Sequence, residues 1–193
     1  MLYYFYIQFI FLQQFMVLNC IFYRKGDNLM ADISLRTDEI ISRDLDDYGD
    51  MILRLAYSYM KNIHDAEDIL QDVFVQLMKN IDIFQGNDHK KSWLITVTRN
   101  MCKNKLKSSW FKSREELIEL PYYDEYKNDD IIEAVMKLPL KYREVIHLFY
   151  YEDYSTAQIA EIVNKKESTI RSLLHRGRNI LKKMLKEGYD FEE

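Results

Sequence analysis

Apolar side chains return at three- and four-residue intervals in successive stretches of this chain, the spacing of amphipathic helices. Leu45, Tyr48, Met51, Ile52, Leu55 and Tyr59 predict a helix over residues 45–61 that ends near Asn62. Asp65 starts another, with Ala66, Ile69, Leu70, Val73, Phe74 and Leu77 inward and Glu67, Asp68, Gln71, Asp72 and Gln76 outside. The turn-rich run Phe84-Gln-Gly-Asn-Asp-His then leads into a helix from about Lys90 to Lys107. Trp93, Leu94, Val97, Met101 and Leu106 are expected in its core face. The period fades after Ser108, where Pro121, adjacent tyrosines and several acids mark a linker with one helical turn near residues 115–120. Ile131, Ile132, Val135 and Met136 resume the pattern, Leu138-Pro139 breaks it, and Pro139 is placed to open the next helix, which buries Val145, Leu148 and Phe149. With only 5 Gly and 2 Pro in 193 residues, the expectation is an all-α protein. Two small helical domains are joined by an acidic flexible linker.

The last of these stretches, residues 153–178, has the form of a helix-turn-helix. Ile159, Ala160 and Val163 share one face of a short helix starting near Ser155 or Thr156, and small Ala160 suits a close crossing. Asn164 tolerates the left-handed conformation that a tight turn needs, and Lys165-Lys166 complete the connection. Ile170, Leu173, Leu174, Gly177, Leu181 and Met184 line the buried side of a second helix. Lys166, Ser168, Thr169, Arg171, Ser172, His175, Arg176 and Arg178 are left outside or at its margin, a basic face that fits a major groove. Arginine can donate twice to a guanine edge, while serine, threonine and lysine can hold phosphates. The plainer reading is an ordinary amphipathic helix with a solvated basic side; the turn and the charge bias occurring together favour DNA.

Net charge alone points the other way, since 31 acids outnumber 27 Lys and Arg for a formal charge of -4. The charges are segregated, however, and between His89 and Lys112 there is no acid at all. There Lys91, Arg99, Asn100, Lys103, Lys105 and Lys107 supply a polar, basic exterior beside Trp93. A tryptophan is more often core than platform, yet rings next to cations are also the means of holding single-stranded nucleic acid. In the Asp65 helix, acid near the start suits the helix dipole, which accounts for Asp65 and Glu67 and leaves Asp72 as part of a face for a protein partner. Cys20 and Cys102 have neither metal-ligand spacing nor a disulfide framework, as in a reducing cytoplasm. The four histidines are scattered, and no phosphate loop, nucleophile elbow or paired metal ligands appear; no cofactor and no enzyme activity are expected.

Residues 1–23 are almost wholly apolar and aromatic, followed by Arg24-Lys25. The stretch could span a bilayer, but it lacks the basic start and small-residue cleavage site of a signal peptide. Met30 opens a segment of ordinary soluble composition, and the preferred reading is that translation begins there and residues 1–29 are not native.

Three anchors, in order, give the chain a family resemblance. Asp65-Ala-Glu-Asp-Ile-Leu-Gln-Asp-Val-Phe74 is the first, and Phe84 followed by Lys91-Ser-Trp-Leu-Ile-Thr-Val-Thr-Arg-Asn100 is the second. Leu138-Pro-Leu-Lys-Tyr-Arg-Glu-Val145, leading into the helix-turn-helix, is the third. The chain resembles the extracytoplasmic-function (ECF) group of the bacterial sigma-70 family of RNA polymerase sigma factors. The resemblance implies sigma region 2 over residues 30–108, a linker over 109–127, sigma region 4 over 128–187 and a tail over 188–193. Asp65, Glu67, Asp68, Gln71, Asp72 and Phe74 would bind core RNA polymerase. Phe84, Asn87, Lys91, Trp93, Arg99, Asn100 and Lys103 would capture the melted non-template strand of the minus-ten element, with a flipped base in a loop near residues 87–91. Lys166, Ser168, Thr169, Arg171, Ser172, His175, Arg176 and Arg178 would read the duplex minus-thirty-five element. The acidic linker would run through the RNA path of the polymerase. An anti-sigma protein, often membrane-bound in this group, is a further implied partner, and the location is cytoplasmic. One departure is Asn164-Lys165, where the family commonly has glycine and an apolar residue. The rival readings are a conventional helix-turn-helix regulator acting without polymerase and a membrane-anchored interaction protein.

Overall fold

The computed structural model describes residues 28–108 and 130–189; the apolar leader, the linker with its expected helical turn and the end of the tail lie outside them. Among the described residues every regular element is helical. In chain order these are α1 (Asn28–Met60), α2 (Ile63–Lys79), a 3-10 turn (Ile81–Ile83), α3 (Asn87–Lys107), α4 (Asp130–Lys137), α5 (Leu140–Tyr150), α6 (Thr156–Val163) and α7 (Glu167–Tyr189). The expected all-α class and both helical regions are present.

By packing, the chain divides into a first unit, Met1–Asp47, and a second, Tyr48–Glu193. The first holds the N-terminal part of α1, with Ile41 and Leu45 buried. The apolar period predicts a helix start near Leu45, but residues 28–44 contain neither glycine nor proline to stop it, and α1 begins at Asn28. In the second unit α2 packs along α3, α7 packs on α4, α5 and α6, and α3 touches α6. Both helical regions therefore contribute to one compact body.

Local chemistry sets the corners. Lys61 ends α1 in the left-handed region at φ 56°, and the Asn62 side chain then accepts from the Asp65 N–H at 3.0 Å to cap α2. Ser155 and Gln158 form a reciprocal capping box at the start of α6. Asn164 closes α6 at φ 53°, ψ 58°, the left-handed turn anticipated for it. Pro139 is the residue before α5 rather than its first, and the Tyr142 and Arg143 N–H groups both bond its carbonyl.

Two helices depart from the sequence pattern. α3 buries Leu94, Ile95, Thr98 and Cys102, whereas the expected Trp93, Val97, Met101 and Leu106 are only half-buried. The aliphatic count misplaces the face because two of its four innermost side chains are Thr and Cys; the Thr98 hydroxyl is satisfied by donating to the Leu94 carbonyl at 2.7 Å. α5 has no exposed side at all over its middle: Arg143, Glu144, Val145, Ile146, His147 and Leu148 are all buried, while Phe149 is half-buried. It lies between α7 and the helices of the first region, so charged positions become interior ones.

Candidate nucleic-acid interface

The structure distributes the proposed site residues over three places. On α2, Asp65 and Phe74 are interior, at 6 % and 0 % exposure, and so support the helix from within. Asp65 pairs with Lys105 of α3 at 2.9 Å, which also reaches Asp68 at 3.1 Å; burial lowers the pKa of Lys105, but the two carboxylates outweigh it and the net direction is up. Glu67, Asp68, Gln71 and Asp72 form the accessible side of α2. Asp68, Gln71 and Asp72 line one hollow of about 460 Å³ between α2 and α3 together with Met101, Asn104 and Lys105. Those α3 residues were not singled out as partner contacts from sequence, since only packing brings them beside α2.

At the start of α3, Gly86 takes φ 115° and lets the helix begin at Asn87, three residues earlier than Lys90. Residues 87–91 thus form its first turn rather than a loop. Phe84 and Trp93 meet edge to face at 5.2 Å, His89 lies 5.9 Å from Phe84, and the Lys90 ammonium is 5.8 Å from the Phe84 ring. Asn87 and Asn100 are exposed. This corner has the rings and charge that stack and hold unpaired bases.

The remaining cations of this set face inward. Lys91 lies 3.4 Å from the Glu152 carboxylate, and the Lys103 ammonium lies 2.9 Å from Glu144. Arg99 donates through Nε to Glu144, through Nη1 to Asn100 at 3.2 Å and through Nη2 to the Val163 carbonyl at 3.1 Å. Tyr59 of α1 adds a third donor to Glu144 at 2.6 Å. Burial pushes the Glu144 pKa up, but the bonds from Tyr59, Lys103 and Arg99 outweigh it, and the net direction is down. Burial together with Glu144 raises the Tyr59 phenol well above 10.0. Lys103 is lowered because burial, reinforced by Arg99 and Lys165, exceeds the pull of a carboxylate that it shares. Glu144 and Glu152 were not anticipated: a buried glutamate in an amphipathic pattern carries no local signal.

At the start of α7 all eight proposed duplex-reading residues are exposed, Lys166 just before the helix and the other seven on it. Arg171 is held by Glu167 at 2.7 Å, and Glu167 in turn accepts from Thr156 at 2.6 Å, which ties the reading helix to the start of α6. These bonds depress the Glu167 pKa, the Thr156 hydroxyl most. Arg178 stands at the rim of an apolar hollow of about 760 Å³ between α4, α5 and α7. Among the described residues no group of His, Cys, Asp and Glu is placed to hold a metal ion, and no helix is long and apolar enough to cross a membrane. Burial lifts the Cys102 thiol to about 12.

Comparison with known proteins identifies the family. Residues 45–112 match the family Sigma-70 region 2, and residues 128–181 match Sigma-70, region 4. ECF RNA polymerase sigma factor SigW of Bacillus subtilis is 31% identical over 185 residues, which cover 85% of this chain and 93% of the relative. The chain belongs to the ECF sigma factors. This sigma factor is also 28% identical to ECF RNA polymerase sigma factor SigE of Mycolicibacterium smegmatis, over 77% of its own length and 61% of the relative. Its fold is shared with RpoE of Bartonella quintana, solved in complex with the anti-sigma factor NepR, at a TM-score of 0.62 and 24% identity, covering 75% of this chain and 96% of that one. It is shared too with CnrH in complex with the cytosolic domain of CnrY, at 0.57 and 18%, covering 78% and 90%. As a sigma factor it directs transcription initiation by RNA polymerase.

Proposed function

We propose that the labour of this sigma factor is divided among the three surfaces just described, without catalysis of its own and in the cytoplasm. The outward side of α2, with Glu67, Asp68, Gln71 and Asp72, docks on core RNA polymerase. The corner of Phe84 and Trp93, with Asn87, Asn100 and the cations Lys91, Arg99 and Lys103, holds the melted non-template strand of the minus-ten element. The first turns of α7 enter the major groove of the minus-thirty-five element. The reading is carried by one observation: Lys166 and the seven candidate residues of that helix are all solvent-exposed behind a turn closed by left-handed Asn164. An anti-sigma factor is a further expected partner, a reading supported by RpoE, which shares the fold and was solved in complex with the anti-sigma factor NepR.

Transcription with purified core polymerase on the promoter region of the protein's own gene is the direct test. Stimulation is expected; absence of both stimulation and core binding would overturn the reading. In the same assay Asp72→Arg is expected to weaken core binding by tenfold or so, an acid of the docking face becoming a like charge against its partner. Arg176→Ala is expected to leave core binding intact and to lower promoter affinity by about 1–3 kcal/mol if Arg176 pairs with a base edge.

A further inference from the structure

Arg171, one of the cations assigned to the upstream duplex, does not stand free on its face of α7. Its Nε and Nη2 groups both donate to one carboxylate oxygen of Glu167, at 3.2 and 2.7 Å, a helical turn earlier. That oxygen also accepts the Thr156 hydroxyl at 2.6 Å. The three side chains form a relay that crosses the turn of the helix-turn-helix, from the first residue of α6 through the first residue of α7 to the guanidinium. Both helices are anchored beneath it, since Ile159 and Ile170 are fully buried. Arg176 and Arg178, further along α7, meet no acid among the described residues. An acid in the first turn also suits the helix dipole, but the dipole makes no demand on Thr156 or Arg171. An exposed pair of this kind adds little to stability, the Arg171 and Glu167 side chains being 69% and 38% exposed, so its effect is on geometry. With Nε and Nη2 turned to Glu167, the outer edge of the guanidinium, Nη1 and the second hydrogen of Nη2, is left to donate as a fork to two acceptors such as O6 and N7 of a guanine.

We propose that Glu167, which lies outside the eight residues assigned to the duplex, is a positioning residue for promoter reading: anchored by Thr156, it holds Arg171 toward a base edge and away from the phosphates. An unrestrained arginine at the rim of a groove reaches the backbone easily, and a phosphate contact gives affinity without sequence. The neighbouring carboxylate cancels much of that attraction and is itself repelled by the backbone, which disfavours complexes in which no base repays the approach. A guanidinium already oriented also loses less rotamer freedom when it meets its base. Thr156 is needed because Glu167 without it can swing together with Arg171. The relay therefore gives up affinity for arbitrary duplex and gains discrimination. This inference deepens the major-groove role of α7 given above and rests on it.

The test uses the polymerase holoenzyme and duplex carrying the promoter region of the protein's own gene, with each base pair of the minus-thirty-five element changed in turn. Arg171→Ala identifies the pair that Arg171 reads, as the one at which the ratio of affinities for native and changed duplex collapses. At that pair Glu167→Ala is expected to lower the ratio about threefold to tenfold. Its binding to duplex without the element is expected to tighten, with a salt dependence steeper by about one charge. Thr156→Val removes the hydroxyl and no charge, so it is expected to lower the same ratio by less and to leave the salt dependence as it is. It also carries the test if Glu167→Ala loses its helical circular dichroism. A purely structural role would weaken binding to all duplexes alike. That result, or an unchanged ratio in the folded Glu167 and Thr156 variants, would overturn the relay while a collapse in Arg171→Ala leaves base reading by α7 standing. If Arg171→Ala changes no ratio, the assignment of Arg171 to a base edge is refuted and the relay falls with it.

Discussion

Asn164 takes φ 53° and ψ 58° at the end of α6, a conformation that glycine adopts freely, asparagine tolerates and a β-branched side chain resists. Asn164→Gly is therefore expected to change stability by only a few tenths of a kcal/mol, whereas Asn164→Val costs about 1–2 kcal/mol, both read from thermal melts. Arg143 is a different case, 3% exposed with its guanidinium donating to the Met136 and Leu138 carbonyls at 2.7 and 3.1 Å. Burial pulls its pKa down to about 10, so it stays charged at neutrality and serves as a buried cap on α4. Arg143→Ala leaves those carbonyls without a donor and is expected to cost about 2–3 kcal/mol in denaturant unfolding. Glu144 gives a pH dependence with a definite sign. Its folded pKa lies below the usual 4.5, so its contribution is complete above that value and disappears as the pH falls through the lower folded value. The melting temperature should fall more steeply on acidification in the native protein than in Glu144→Gln.

At the scale of elements, the helix-turn-helix was legible because its signals are local. A capping side chain at Ser155, an asparagine at the turn and apolar residues at helical spacing all act within a few positions of one another. α5 was not legible beyond its apolar stripe. The partners that bury Glu144 lie 85, 45 and 41 positions away in the chain, and no window of sequence contains them. The core face of α3 was misjudged for a related reason, since the buried Thr98 donates to a backbone carbonyl and Cys102 is fully buried, neither of which an aliphatic count registers. Of the residues proposed to contact polymerase, sequence alone could not separate Asp65 and Phe74, which are interior, from Asp68 and Asp72, which are not. The α5–α7 crossing is set by Gly177, where an added Cβ would lie 3.3 Å from Ile146 Cγ1 and 3.4 Å from Tyr142 Cβ. Gly177→Ala gains about 1 kcal/mol of helix propensity but presses on an Ile146 that is 2% exposed. A net loss near ~1 kcal/mol is expected by chemical denaturation, and Gly177→Leu should cost several times more.

For the whole molecule, a net charge of -4 would disfavour DNA if it were spread evenly, but the cations are gathered on α3 and α7. Asp72 on α2 and Arg176 on α7 lie on separate helices and are assigned to different partners in the function proposed above. The double variant Asp72→Arg/Arg176→Ala should therefore lose promoter occupancy as the sum of the two single losses, within about 0.5 kcal/mol, in a binding titration with core polymerase. The order of the helices along the chain has its own consequence during synthesis. α4, eight residues long, is too short to persist alone, and its packing partner α7 is the last helix to be made. The helix α3 is complete at Lys107, so on the ribosome the first helices can pack while the later ones still await α7. For that interval Lys91 has no Glu152 to meet and Arg99 and Lys103 have no Glu144, so these pairs between the early and the late helices can form only once the later half of the chain has been made.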